Sequence, residues 1–176
     1  SDIGFVANGD LDTTALKTFV GTDSAFVQTW YDQSGNGRDA VQTTPGGQPR
    51  LVNAGTLDTQ NGRPAVTFLG AQGMPTGLTN VQATGSGTDM TLSAVLRADN
   101  GVSQALLGDS TSGTNRVVVH APWSDGNTYV DVGNVSTARF SGALTWSTLA
   151  AGTFRRSGAQ GDVWQNGTLR LTTSGL

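Results

Sequence analysis

The chain of 176 residues contains no cysteine and no glutamate, and it holds one lysine, Lys17, and one histidine, His120. Without cysteine there are no disulfides and no thiolate metal sites, so the fold stands on packing alone. A single histidine without cysteine also leaves no ligand set for zinc. All thirteen acidic residues are aspartate, and nine of the ten basic residues are arginine. Long solvated helices draw on Glu, Lys, Ala and Leu, so their surface chemistry is missing here. Long apolar runs are absent too: no stretch reaches the length of a membrane span, and no basic-then-apolar segment opens the chain, so membrane insertion is not expected. Net charge is −3 with no basic block, which gives nucleic acid nothing to pair with.

What is present is glycine (25 residues) with many Thr, Ser, Asn and Gln. These suit strands, turns and hydrogen-bonding surfaces. Helical spacing occurs once, at Asp12–Val20, where Asp12 or Thr13 caps and Ala15, Leu16, Phe19 and Val20 form one face. The rest predicts short strands at Phe26–Tyr31, Pro64–Phe68, Met90–Arg97, Ser103–Gly108, Arg116–His120, Thr128–Val132 and Trp146–Phe154. A hairpin closes the series over Gly161–Leu171, turning on Asn166-Gly167, the favoured pair of a type I′ turn. Asn8, Asn36, Asn61 and Asn100 also precede glycines, and Asp125-Gly126 is a near equivalent. Gln72 to Asp89 reads as a long surface loop. The length suits one domain, and the strand pattern predicts an antiparallel β-sandwich.

Two stretches concentrate chemistry. Trp30 to Asp39 runs an aromatic strand end into a loop in which Gly35 and Gly37 suit positive φ, while Asp32, Ser34 and Asn36 suit bonds to nearby amides. The first reading is a self-bonded corner. A calcium site using Asp32, Asn36 and Asp39 is the alternative, because the loop gathers oxygen ligands; a sugar-contacting loop is the third. The second stretch, His120 to Asp131, turns at Pro122 and Gly126 with Trp123 at the tip. An indole plane beside Asp125, Asn127 and Tyr129 is what a carbohydrate site needs: an apolar face for the ring and polar groups for its hydroxyls. The competing reading folds Trp123 back onto the sheet. His120 reads as a strand-end residue, Trp30, Trp146 and Trp164 as core or sheet-face residues, and Arg155-Arg156 as a surface pair. Asn134-Val-Ser and Asn166-Gly-Thr fit the glycosylation pattern.

Five segments in order carry a resemblance: Tyr31-Asp-Gln-Ser-Gly-Asn-Gly37, Asn61-Gly-Arg-Pro-Ala-Val-Thr-Phe68, Met90-Thr-Leu-Ser-Ala-Val95, His120-Ala-Pro-Trp-Ser-Asp-Gly126 and Asp162-Val-Trp-Gln-Asn-Gly167. Together they resemble the concanavalin A-like lectin/glucanase superfamily, in particular laminin-G-like members of bacteriophage virions and bacterial surface proteins. The resemblance implies an all-β jelly-roll sandwich with one short N-terminal helix. Such members continue past the last hairpin, so ending at Leu176 implies a sandwich incomplete at its C-terminal edge, an edge open to pairing with another chain.

It also implies a non-enzymatic carbohydrate-binding or host-attachment module on a virion or cell surface. The expected partners are cell-surface glycan and other virion or surface-protein chains, as a homo-oligomer or assembly. A purely structural assembly module is the second expectation. A glycoside hydrolase is the third, since the Tyr31–Gly37 string also resembles a segment of sandwich-fold arabinofuranosidases. Those enzymes use a Glu nucleophile, and this chain has none. No cofactor beyond calcium is expected.

Overall fold

The computed structural model describes residues 1–78, 89–99, 102–109, 116–134 and 136–176. The described residues fall into two compact units, Ser1–Gly77 and Leu78–Leu176.

In the first unit, helix α1 (Thr13–Val20) begins where the Asp12 carboxylate accepts the Ala15 N–H at 2.9 Å, so the expected cap is in place. It ends at Gly21, whose φ of 60° is one that a side chain would disfavour. Leu16 and Val20 are buried against Val52, with Ile3, Leu11, Ala25, Leu51 and Leu57 around them. Ala15 and Phe19, expected on the same face, are exposed. The strands here are short: β1 (Ala25–Phe26), β2 (Thr29–Trp30), β3 (Ala40–Val41), β4 (Arg50–Asn53), β5 (Thr56–Leu57), β6 (Thr59–Gln60) and β7 (Arg63–Pro64). The single strand expected over Phe26–Tyr31 is two strands. β1 pairs with β4 and β2 with β3, and the chain changes partner at Val27 and Gln28, which bond the backbone of Pro49 and Gln42. The β6–β7 hairpin turns on Asn61 and Gly62, at φ 49° and 75°, as a type I′ turn requires.

The second unit is a β-sandwich of two four-stranded antiparallel sheets. Its strands are β8 (Met90–Leu96), β9 (Ala105–Asp109), β10 (Arg116–His120), β11 (Asn127–Gly133), β12 (Arg139–Ala143), β13 (Ala150–Ser157), β14 (Gln160–Gln165) and β15 (Thr168–Thr173). One sheet runs β12-β11-β10-β9 and the other β15-β14-β13-β8. Val117, Val119, Val130, Val132 and Phe140 from the first share a core with Met90, Phe154 and Val163 from the second. Trp146 lies between the sheets, its indole N–H donating to Thr128 Oγ1 at 2.8 Å and its ring tilted against Phe154 at 5.5 Å. A Cβ at Gly161 would sit 2.7 Å from the Phe140 ring, so glycine there lets that aromatic reach the opposite sheet. β14 and β15 turn on Asn166 and Gly167, with φ 52° and 78° as expected.

Two further expectations change. The strand placed at Trp146–Phe154 begins at Ala150, because the Trp146 carbonyl is taken by the Ala98 N–H at 2.9 Å. Arg156 is not a surface residue. Alternation along β13 sends it inward, where it is 5% exposed and its guanidinium donates to the carbonyls of Val132 and Gly158. Asn100-Gly101, most of the loop expected at Gln72–Asp89, and Val135 in the Asn134 glycosylation pattern lie outside the described residues.

Candidate functional site

The loop from Trp30 to Asp39 bonds to itself. Asp32 accepts the Ser34 N–H at 2.8 Å on one oxygen and the Arg38 N–H at 3.0 Å on the other. Asp39 accepts the Asp32 N–H at 2.8 Å, and Asn36 donates its side-chain amide to Ser34 Oγ at 2.8 Å. Gly35 and Gly37 hold φ at 82° and 65°. The bond with Ser34, then that with the Arg38 amide, lowers the Asp32 carboxyl to about 2. Among the described residues, no group of three or more His, Asp or Glu side chains stands close enough together to hold a metal ion.

The Asp32 arrangement predicts a pH effect. A folded-state value below the ordinary 3.8 gives a contribution that is complete above about pH 3.8 and lost as pH falls through about 2. The Ser34 and Arg38 amide proton resonances should therefore titrate together with a midpoint of about 2. A midpoint at 3.8 would mean that the corner does not form in solution.

The second stretch forms a pocket on the outer face of the β12-β11-β10-β9 sheet. After His120 ends β10, the chain turns so that the Trp123 N–H donates to the Asn127 carbonyl at 2.8 Å and the Gly126 N–H to the Trp123 carbonyl at 2.9 Å. Gly126 takes φ 83°, which permits the turn. Asp125 then accepts from the Asn127 N–H (2.9 Å), the Asn127 side-chain amide (3.0 Å) and the Tyr129 hydroxyl (2.7 Å). The Tyr129 bond, followed by those from Asn127, holds the Asp125 carboxyl below its usual range, and the same bond raises Tyr129.

Strand register supplies the rest. His120 stands opposite Tyr129, Val118 opposite Asp131, and Asp131 opposite Arg139. The Asp131 side chain is fully buried. Arg139 grips it with two hydrogen bonds, at 2.6 and 2.8 Å, and Arg116 forms an ion pair with it at 3.0 Å. The Arg139 guanidinium also lies over the Tyr129 ring at 4.9 Å. The Trp123 indole meets the His120 ring at 4.5 Å in an edge-to-face arrangement and stays 40% exposed. Arg116, His120, Trp123, Asp125, Tyr129 and Arg139 enclose about 270 Å3. That is below the ~300–1,000 Å3 usual for drug-sized ligands, and it suits a single ring.

Of the residues singled out for carbohydrate, Trp123, Asp125 and Tyr129 meet in this pocket, while Asn127 stands behind it and fixes Asp125. Trp123 neither stands free nor folds into the core. His120, Arg116 and Arg139 were missed, and only the register across three strands brings them here. Among the other tryptophans, Trp30 is 55% exposed, Trp146 is buried, and Trp164 is half-buried under the Arg155 guanidinium at 5.0 Å. No family model, curated protein or solved structure matches the chain.

Proposed function

We propose that this chain is a non-enzymatic, lectin-like carbohydrate-binding module whose site is the Trp123 pocket. The observation that carries the proposal is the Trp123 indole, part-exposed in the turn between β10 and β11 beside the hydrogen-bonded polar groups Asp125 and Tyr129. An apolar plane with converging hydrogen-bond groups is the combination that a sugar ring requires. Presentation on a virion or cell surface, kinship with concanavalin A-like and laminin-G-like domains, and the jelly-roll form of the sandwich belong to the same proposal and rest on the ordered motifs. Against hydrolysis in this pocket, the bonds from Tyr129 and Asn127 hold Asp125 as an anion, so it does not offer the protonated carboxyl that glycoside cleavage needs.

Glycan-array screening followed by calorimetry tests the reading. Trp123→Ala should weaken binding by at least about tenfold, near 1.4 kcal/mol. Wild-type protein that binds no glycan, or a variant equal to it, would contradict the proposal. That outcome would favour an assembly role, which draws on the large aromatics Phe5, Phe19 and Trp30, each more than half exposed.

A further inference from the structure

Among the described residues, three buried side-chain nitrogens have no hydrogen-bond partner: Arg116 Nε, His120 Nδ1 and Arg155 Nε. Two of the three border one pocket, the one beneath Trp123. An unpaired buried polar atom is costly, so two at one place call for a shared cause. His120 is 9% exposed. In a neutral ring with its proton on Nε2, Nδ1 is a pure acceptor. Arg116 Nε–H is a pure donor. The pocket therefore offers one unused acceptor and one unused donor.

We infer, resting on the carbohydrate reading of this pocket, that it recognises a neutral polyol: one ligand hydroxyl donates to His120 Nδ1 while a neighbouring ligand oxygen accepts from Arg116 Nε–H. A sugar with adjacent free hydroxyls supplies both groups within a single ring, which is the size the pocket takes. The charge pattern argues for a neutral ligand over an acidic one. Arg116 and Arg139 already face Asp131, and Asp125 stands exposed at the rim, so the two positive groups are matched by two negative ones. A carboxylate entering here meets Asp125 and finds no unspent cation. Both nitrogens are shielded from solvent. The Trp123 indole covers His120 by an edge contact and is itself part-exposed. An outward rotation of this indole on binding would open His120 and leave its plane free to stack on the incoming ring.

This arrangement makes binding sensitive to acid. Burial lowers the His120 pKa, against Asp131, which raises it; Arg116 and Arg139 lower it further, and Asp125 and Tyr129 complete the ionisable groups lining the pocket. Protonation turns Nδ1 from acceptor to donor, which removes the acceptor for the ligand hydroxyl proton, and it places a third cation beside Arg116 and Arg139.

His120 is the sole histidine, so its imidazole 15N resonances are unambiguous. The wild-type chain is titrated with methyl glucoside, methyl galactoside and methyl mannoside and with the matching uronates, at pH 7.5 and at a pH below the His120 midpoint. The free protein should show the Nε2–H tautomer. A neutral glycoside should shift Nδ1 and bind at least about tenfold tighter than its uronate, and should lose at least about tenfold in affinity on acidification. His120→Gln, which keeps an acceptor oxygen but cannot titrate, should retain binding with a flat pH profile. Glycoside binding that leaves His120 unmoved, or uronates bound as tightly, overturns this inference and leaves the carbohydrate reading standing. No binding by any probe overturns both.

Discussion

Asp131→Ala should destabilise the sandwich by about 3 kcal/mol and abolish binding at the Trp123 pocket. The Asp131 side chain is fully buried, with two hydrogen bonds from Arg139 and an ion pair with Arg116. Removing it leaves two guanidiniums side by side with no counter-ion. Breaking a buried pair costs about 3–5 kcal/mol, chiefly through the charge left behind. Arg116 and Arg139 are 17% and 35% exposed in their side chains, so they recover some hydration by turning outward, and the lower end of that range applies. Their departure removes one wall of the pocket and uncovers the Tyr129 ring. Asp131→Asn keeps the shape and loses the charge, so it should fall between the two. Urea unfolding midpoints at neutral pH provide the measurement; a change under about 1 kcal/mol for Asp131→Ala would place the ion triad outside the stabilising core.

The second large effect concerns Trp146. It is fully buried, bonded to Thr128 on β11 and packed on Phe154 of β13, so one side chain ties the two sheets together. Trp146→Ala should cost at least about 3–5 kcal/mol from the cavity alone, with more from the stranded Thr128 hydroxyl. Domains of this size hold only about 5–15 kcal/mol in total, so the variant should lose a large fraction of its stability, read as a fall in the urea midpoint. Trp146→Phe together with Thr128→Val removes both hydrogen-bond partners at once. The pair should be less destabilised than the sum of its single changes, because neither polar group is then left alone. Strict additivity in a double-mutant cycle would mean that the bond contributes nothing beyond packing.

The sequence was legible where the signal was local. Asn61-Gly62 and Asn166-Gly167 name their turns because two successive positive φ values admit few residues, and Asp12 names its helix because a carboxylate three residues ahead of an amide caps it. β10 is found end to end from Arg116 to His120 because valines fill its centre. β12 was not found. It alternates Phe140 and Gly142 inward with Arg139 and Ser141 outward, and small residues blur a period of two. Arg156 was misplaced for a related reason: adjacent arginines read as a surface pair, whereas the strand alternates and turns one of them into the interior.

The site divides in the same way. Trp123, Asp125 and Tyr129 lie within one turn and its following strand, so a local reading gathers them. Arg116, His120 and Arg139 join them only through the pairing of β10, β11 and β12. The signal that points to them is Asp131, a lone acid in the valine-flanked run Val130–Val132. A carboxylate placed among buried valines needs a cation from each neighbouring strand. The Trp30–Asp39 loop, rich in oxygen ligands, directs those oxygens at its own backbone amides instead.

The most direct test of the account is to follow the Trp123 indole N–H and the His120 imidazole resonances while neutral oligosaccharides are titrated into the wild-type chain. The account predicts that both move together and saturably with the same ligand, while the buried Trp146 indole stays in place. Saturable binding that moves neither Trp123 nor His120, or no binding at millimolar glycan, would contradict it.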